Sequence, residues 1–91
     1  METVNDRQAI ESWLQNAVAE ELNQPVSAIA LDVPLSEMGL DSVAAVALTG
    51  DLEDWSGLEV DPTLIFDYPT IAALAAHLTE ANPEALSEQN P

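Results

Sequence analysis

The segment at residues 38–48 joins a turn to an apolar helix-forming run, and it constrains the fold more than any other stretch. Gly39 is typical of the turn, whereas the Ala, Val and Leu residues that follow Ser42 are typical of a helix with a buried side. Asp41 carries the short acceptor side chain that caps a helix start. The pattern therefore predicts a helix that begins at about Asp41, with Ser42 on its first turn.

The first turn of a helix is a favourable place for negative charge. Its backbone N–H groups lack partners within the helix, and the helix dipole is positive there. The hydroxyl of Ser42 would present an attached group at this position. A covalently attached phosphate is therefore a chemically suitable modification of Ser42.

The charge of the chain limits its partners. The 91 residues contain 17 Asp and Glu but one basic residue, Arg7, which gives a formal net charge of −16. Nucleic acid and anionic membranes require cationic patches, so we exclude both and expect basic protein surfaces as partners. Strong acidity can indicate disorder, but 47% hydrophobic residues in helical periods favour a folded domain.

Few residues are available for chemistry of the protein's own. The chain has no cysteine, which excludes disulfides, Cys-ligated metals and a protein thiol nucleophile. His77 is the single histidine, so neither a histidine metal site nor a serine–histidine hydrolase is supported, and we interpret His77 as a solvent-facing helix residue. We expect no metal site. No signal peptide or membrane span is evident, so we expect a cytoplasmic domain.

Apolar periodicity predicts three helices and one short helical turn. The first helix follows a capping box at Asn5 and Gln8 and ends before Pro25, with Trp13 at or near the core. A long connection at residues 23–40 should lie over the helices, anchored by apolar side chains that include Val26. The second helix covers residues 41–55 and stops near Gly57, and its predicted core face consists of Ala45, Leu48, Leu52 and Trp55.

The remainder of the chain is predicted to hold a short turn, a last helix and a tail. Residues 63–66 follow Asp61-Pro62 and form the turn, pinned by Leu64, Ile65 and Phe66. The last helix starts at Pro69-Thr70 and buries Ile71, Leu74, Ala75 and Leu78. Residues 1–81 are therefore predicted to form one domain, and residues 82–91 a flexible tail or linker.

The outer side of the second helix is a candidate docking surface. Val43, Val46 and Ala47 project away from its predicted core face, and Asp51 adds negative charge further along. An apolar patch bordered by carboxylates suits partner binding. The alternative is that Val43 or Val46 packs under the long connection.

An ordered set of motifs resembles acyl carrier protein domains of modular polyketide synthases. The set comprises Gly39-Leu-Asp-Ser42, the apolar helix after it, and Phe66-Asp-Tyr-Pro-Thr70, and the match covers roughly residues 8–80. The resemblance implies an all-α fold, a small bundle of three main helices plus one short helix. It also implies that Ser42 carries 4′-phosphopantetheine, transferred from coenzyme A by a phosphopantetheinyl transferase, and that the thiol holds acyl groups as thioesters. Asp41 is a candidate for the encounter with the transferase as well as for capping, although helix capping alone explains it and is the favoured interpretation.

The same resemblance implies a non-catalytic carrier, monomeric as an isolated domain. Its partners would be ketosynthase, acyltransferase or acyl-adenylate ligase domains of polyketide or fatty-acyl synthases, with basic docking surfaces. Two alternatives remain open. One is a peptidyl carrier domain of a nonribosomal peptide synthetase, and the other is an acidic helical interaction module that is never modified.

Overall fold

A computed structural model describes residues 6–81, which form four α-helices and contain no strand. The helices are α1 (Arg7–Leu22), α2 (Ser42–Ser56), α3 (Leu64–Asp67) and α4 (Ile71–Ala81). Two short 3₁₀ helices, Val26–Ala28 and Leu35–Met38, lie in the connection between α1 and α2. The predicted bundle of three main helices and one short helix is confirmed. The predicted tail, residues 82–91, lies outside the described residues, so the domain boundary stays a prediction.

The core forms where the apolar faces of the three long helices meet. Helix α1 packs against α4 and α2, and α2 also packs against α3. The core face predicted for α4 is confirmed, because Ile71, Leu74, Ala75 and Leu78 are fully buried. In α2 the predicted core residues Ala45, Leu48 and Leu52 are buried. Apolar burial of this kind is the main stabilising contribution to a small domain.

The start of α1 differs from the predicted capping box. Asp6 is the N-cap, and its Oδ1 accepts a hydrogen bond from the Gln8 N–H at 3.1 Å. The N-cap of α1 is therefore Asp6 and not the predicted Asn5, which lies outside the described residues. At its other end α1 stops at Leu22, and Asn23 adopts a left-handed conformation with φ of 59°.

The connection between α1 and α2 is tied to the bundle, as predicted. Ile29, Leu35 and Leu40 are buried in the core, whereas Val26, a predicted anchor, is exposed. The Ala72 N–H donates to the Leu31 carbonyl and the Leu35 N–H donates to the Pro69 carbonyl, each at 2.9 Å. The side-chain amide of Gln15 donates to the Ile29 carbonyl at 2.8 Å. These bonds fix the connection to the start of α4 and to α1.

Three aromatic or imidazole side chains lie elsewhere than predicted. Trp55, expected in the core or at its edge, is 38% exposed and stacks on Trp13. Phe66, expected to pin α3, is 64% exposed, because the single turn of α3 directs only Ile65 into the core. His77, expected to face solvent, is half-buried and stacks on Tyr68 with ring centroids 4.2 Å apart.

Candidate functional site

The start of α2 is built by a left-handed glycine followed by a capping aspartate. Gly39 has φ of 103°, which side-chain-bearing residues rarely adopt, and it ends the 3₁₀ helix Leu35–Met38. The Ala44 N–H donates to Asp41 Oδ1 at 2.8 Å, so Asp41 is the N-cap. Ser42 is therefore the first residue of α2, which confirms the predicted position on the first turn.

The side chain of Ser42 is accessible from solvent. Ser42 is exposed, and within residues 6–81 no group forms a hydrogen bond with its side chain. The backbone N–H groups of Ser42 and Val43 also have no partner in that part of the chain, as geometry requires of a first turn. An exposed hydroxyl beside unpaired N–H donors, at the positive end of the helix dipole, suits a covalently attached anionic group.

A cavity of about 440 Å³ opens beside Ser42, between α2 and α3. Asp41 and Ser42 form part of its wall. The rest of the wall is mainly apolar and includes Leu35, Leu40, Ala45, Ile65 and Phe66. The exposed ring of Phe66, the feature of α3 that sequence periodicity missed, lies at this cavity. An organic group attached to Ser42 would have apolar surface within reach.

The predicted docking residues on α2 are exposed. Val43 is 77% exposed and Val46 is 46% exposed, so the alternative that either valine packs under the connection is wrong. Ala47 and Asp51 are also exposed, but they line a separate groove between α1 and α2. Large apolar side chains exposed next to a reactive hydroxyl favour a surface that contacts other proteins.

The electrostatics of the described surface are dominated by unpaired carboxylates. Across residues 6–81 a single ion pair is present, in which Arg7 Nε donates to Glu11 Oε2 at 3.1 Å. Asp41, Asp51, Glu53 and Asp54 are exposed along α2. The described residues hold no group of three or more metal-ligating side chains. No helix in this part of the chain has the length and apolar character to cross a membrane.

Near the start of α3 one carboxylate has a perturbed pKa. Asp61 accepts hydrogen bonds at Oδ1 from the Thr63 N–H, at 2.9 Å, and from the Thr63 hydroxyl, at 2.8 Å. The backbone bond, and then the hydroxyl bond, stabilise the ionised form and lower the pKa of Asp61 below its ordinary value. These bonds organise the turn that leads into α3.

Comparison with known proteins gives a family for this site. A family model described as "Phosphopantetheine attachment site" matches residues 12–78, which include Ser42 and its surroundings. Among curated proteins, one of the subunits of the phenolphthiocerol/phthiocerol polyketide synthase of Mycobacterium tuberculosis is 33% identical over 85 residues. That match covers 92% of this chain and 4% of the relative, so the chain spans a small part of that relative's length.

Solved structures resemble the whole described fold. A free-standing peptidyl carrier protein from Acinetobacter baumannii matches with a TM-score of 0.78 and 39% identity, over 85% of this chain and 96% of that one. The HMG-ACPI domain from the CurA module of Lyngbya majuscula matches with a TM-score of 0.78 and 28% identity, over 97% of this chain and 85% of that one. The first neighbour is described as a carrier protein and the second as an ACP domain.

Proposed function

The chain belongs to the phosphopantetheine attachment-site family, and we propose from that premise that it is an acyl carrier domain whose 4′-phosphopantetheine is attached to Ser42. The observation that carries the assignment to Ser42 is its exposed, unpaired hydroxyl at the capped start of α2. When attached, the group supplies a thiol that holds an acyl chain as a thioester, a chemistry that this cysteine-free chain cannot supply itself.

The residues around Ser42 fit the group. The unpaired N–H groups of Ser42 and Val43 would favour its phosphate, and Asp41 keeps them in place by capping the same turn. Leu35, Ile65 and Phe66 would line the space on the α3 side. The carrier role requires no further chemistry from this chain, so we propose that the domain is non-catalytic.

The partners that we propose follow from this role and from the charge of the chain. A phosphopantetheinyl transferase would use coenzyme A and magnesium to modify Ser42, with Asp41 near its point of contact. Polyketide or fatty-acyl synthase domains would then load and use the acyl group. The partner surfaces would be basic, since the carrier has a net charge of −16. The strip that includes Val43, Val46, Ala47 and Asp51 would contact them. We propose a cytoplasmic location, where coenzyme A is available.

Intact-mass analysis tests the attachment site. The protein is incubated with coenzyme A, magnesium and a broad-specificity phosphopantetheinyl transferase, and we expect one phosphopantetheine increment. Ser42→Ala should show none. Ser36→Ala is the matched control, because Ser36 is exposed and lines the same cavity, and it should be modified as fully as the parent protein. Absence of the increment in a folded, unmodified parent protein would contradict the proposal.

A charge placed on the exposed valine tests the docking strip. Val43→Lys should lower the rate of modification or acyl loading about tenfold or more, because it replaces an apolar contact by a positive charge on a surface that meets basic partners. Val26→Lys provides the control, since Val26 is an exposed valine on the connection. Equal rates for both variants, with unchanged melting temperatures, would remove Val43 from the docking surface.

A peptidyl carrier domain is the second candidate, and it has a specific observation in its favour. The Acinetobacter structure at 39% identity is described as a peptidyl carrier protein. Loading of the modified protein by acyl-adenylate ligases, but not by amino-acid adenylating domains, is the result expected of an acyl carrier. The reverse preference would assign a peptidyl carrier. An unmodified acidic module would keep its partner binding in Ser42→Ala and would gain no mass in the first experiment.

A further inference from the structure

A second cavity of about 430 Å³ lies between α1 and α2, and it shares only Leu40 with the wall of the serine cavity. We call it the α1–α2 groove. Its inner surface is formed by apolar side chains that are buried or half-buried, among them Ala17, Ala44 and Leu48. The two alanines are short, so the facing helices leave space there instead of interlocking fully.

The groove and Ser42 lie on different sides of α2. At about 100° per residue, Ala44 and Asp51 are rotated by about 160–180° from Ser42 around the helix axis. The lining of the two cavities agrees with this, because Ala44 and Asp51 line the groove, whereas Ser42 lines the cavity next to α3. A molecule bound in the groove would leave the hydroxyl of Ser42 accessible.

The exposed edges of the groove are acidic. Glu20 and Glu21 lie on the α1 edge and Asp51 on the α2 edge, and all three are exposed. Across residues 6–81 none of them has an ion-pair partner, because the single ion pair joins Arg7 to Glu11. Neither member of that pair lines the groove. An apolar floor between unpaired carboxylates is complementary to a segment with apolar and basic side chains.

We propose that the α1–α2 groove docks a basic amphipathic helix of a partner protein. A helix fits a groove between two helices by inserting apolar side chains at i and i+3 or i+4. The space above Ala17 and Ala44 takes such side chains, and Lys or Arg on the flanks of the partner helix meets Glu20, Glu21 and Asp51. The partner can hold the carrier by this groove while a second protein acts at Ser42 through Val43 and Val46, the two residues of the docking strip that do not line the groove. The inference goes beyond the proposed carrier function and does not require modification of Ser42.

Binding of a synthetic helix tests the groove. The probe is a Leu–Lys peptide of about 18 residues with leucine along one face, and its counterpart replaces each leucine by serine at equal charge. In 0.15 M salt, where general charge attraction is screened, the leucine peptide should shift the backbone amide resonances of Ala17, Glu21, Ala44 and Ala47. It should also change tryptophan fluorescence, because Trp13 lines the groove. The serine peptide should bind at least about tenfold more weakly.

Matched charge reversals separate docking from general attraction. Glu21→Lys should lower the affinity for the leucine peptide about tenfold. Glu59→Lys is an equal change of charge at an exposed residue outside the groove, and it should change that affinity less than about twofold. Lysine suits the last turn of α1, where the dipole is negative, so the first variant should fold.

Two results would overturn the inference. One is equal weakening by both reversals, and the other is resonance shifts confined to the serine cavity. Ser42→Ala should bind the peptide as tightly as the parent protein does. A result that contradicts the carrier assignment is therefore distinguishable from one that contradicts docking in the groove.

Discussion

The indole rings of Trp13 and Trp55 stack with centroids 5.3 Å apart and planes inclined by 16°. Trp13 lies in the middle of α1 and Trp55 near the end of α2, so the pair joins the two helices at one end of the α1–α2 groove. Trp55 is 38% exposed and lies outside the core. The stack is therefore a peripheral interaction that holds α1 and α2 in register.

Removal of either ring should destabilise the domain, and the losses of unfolding free energy from the two removals should not be additive. We expect Trp55→Ala to lower the free energy of unfolding by about 1–2 kcal/mol, which combines lost apolar burial with lost ring stacking. A double-mutant cycle with Trp13→Ala should give a coupling energy of about 0.5–1.5 kcal/mol. Urea titration followed by circular dichroism measures both quantities. Strictly additive losses would show that the rings do not stabilise each other in solution.

Asp41 should stabilise α2 by hydrogen bonding and not through its charge. Asp41→Ala removes the acceptor for the Ala44 N–H and should cost about 1 kcal/mol of unfolding free energy. Asp41→Asn keeps an acceptor and should lower the free energy of unfolding by only a few tenths of about 1 kcal/mol. The same pair of variants tests the second proposed role. If the asparagine variant is as stable as the parent but is modified more slowly, the carboxylate also contributes to the encounter with the transferase.

Local signals predicted the start of α2 and the core face of α4 correctly. Asp41 followed by an apolar run defines a helix start through one short-range hydrogen bond, and the four buried residues of α4 share one face by periodicity alone. Trp55 has the same periodicity as Leu48 and Leu52, yet α2 extends past the core at its end, where Trp13 is the available neighbour. The position of that neighbour depends on how two helices pack, which periodicity does not encode.

Phe66 and the groove were missed for related reasons. An apolar residue in a predicted turn was assigned to the core, but α3 has four residues and directs only Ile65 fully inward. The α1–α2 groove exists because Ala17 and Ala44 face each other's helices, a juxtaposition of residues distant in sequence. The stack of His77 on Tyr68 has the same tertiary origin. For Ser42 the sequence supplied the position, and the structure added the exposure of its hydroxyl.

The turn before α3 should weaken at low pH. The pKa of Asp61 is lowered in the folded state from its ordinary value of 3.8, so its stabilising contribution is present above that value. It is lost as the pH falls below 3.8 and through the folded-state pKa. The stability difference between the parent and Asp61→Ala should therefore be constant from about pH 5 to 7 and shrink below about pH 4. Thr63→Val removes the hydroxyl donor but keeps the N–H, and should reduce this pH dependence only in part. A difference that stays constant down to the lowest folded pH would contradict the assignment.

Added salt should raise the melting temperature. A net charge of −16 with a single ion pair in the described residues leaves repulsion between exposed carboxylates largely uncompensated. Between about 0.01 and 0.15 M salt the screening length falls from roughly 30 to 8 Å, so we expect a rise of several degrees. The double variant Glu53→Gln, Asp54→Asn should show a smaller rise, because it removes two adjacent charges from α2. A melting temperature independent of salt in both proteins would show that repulsion between carboxylates does not significantly destabilise the domain.

The backbone bonds from Ala72 to Leu31 and from Leu35 to Pro69 have a consequence for how the domain opens. We therefore expect the approach to Ser42 and the first turn of α4 to open together, and the amide protons of Leu35 and Ala72 to exchange more slowly than those of α3. Helix α3 has one turn and one buried side chain, so we expect its amides to exchange through a local opening. In the cavity beside Ser42, the wall formed by Leu35 and Pro69 should therefore be rigid, whereas the wall formed by α3 should open locally.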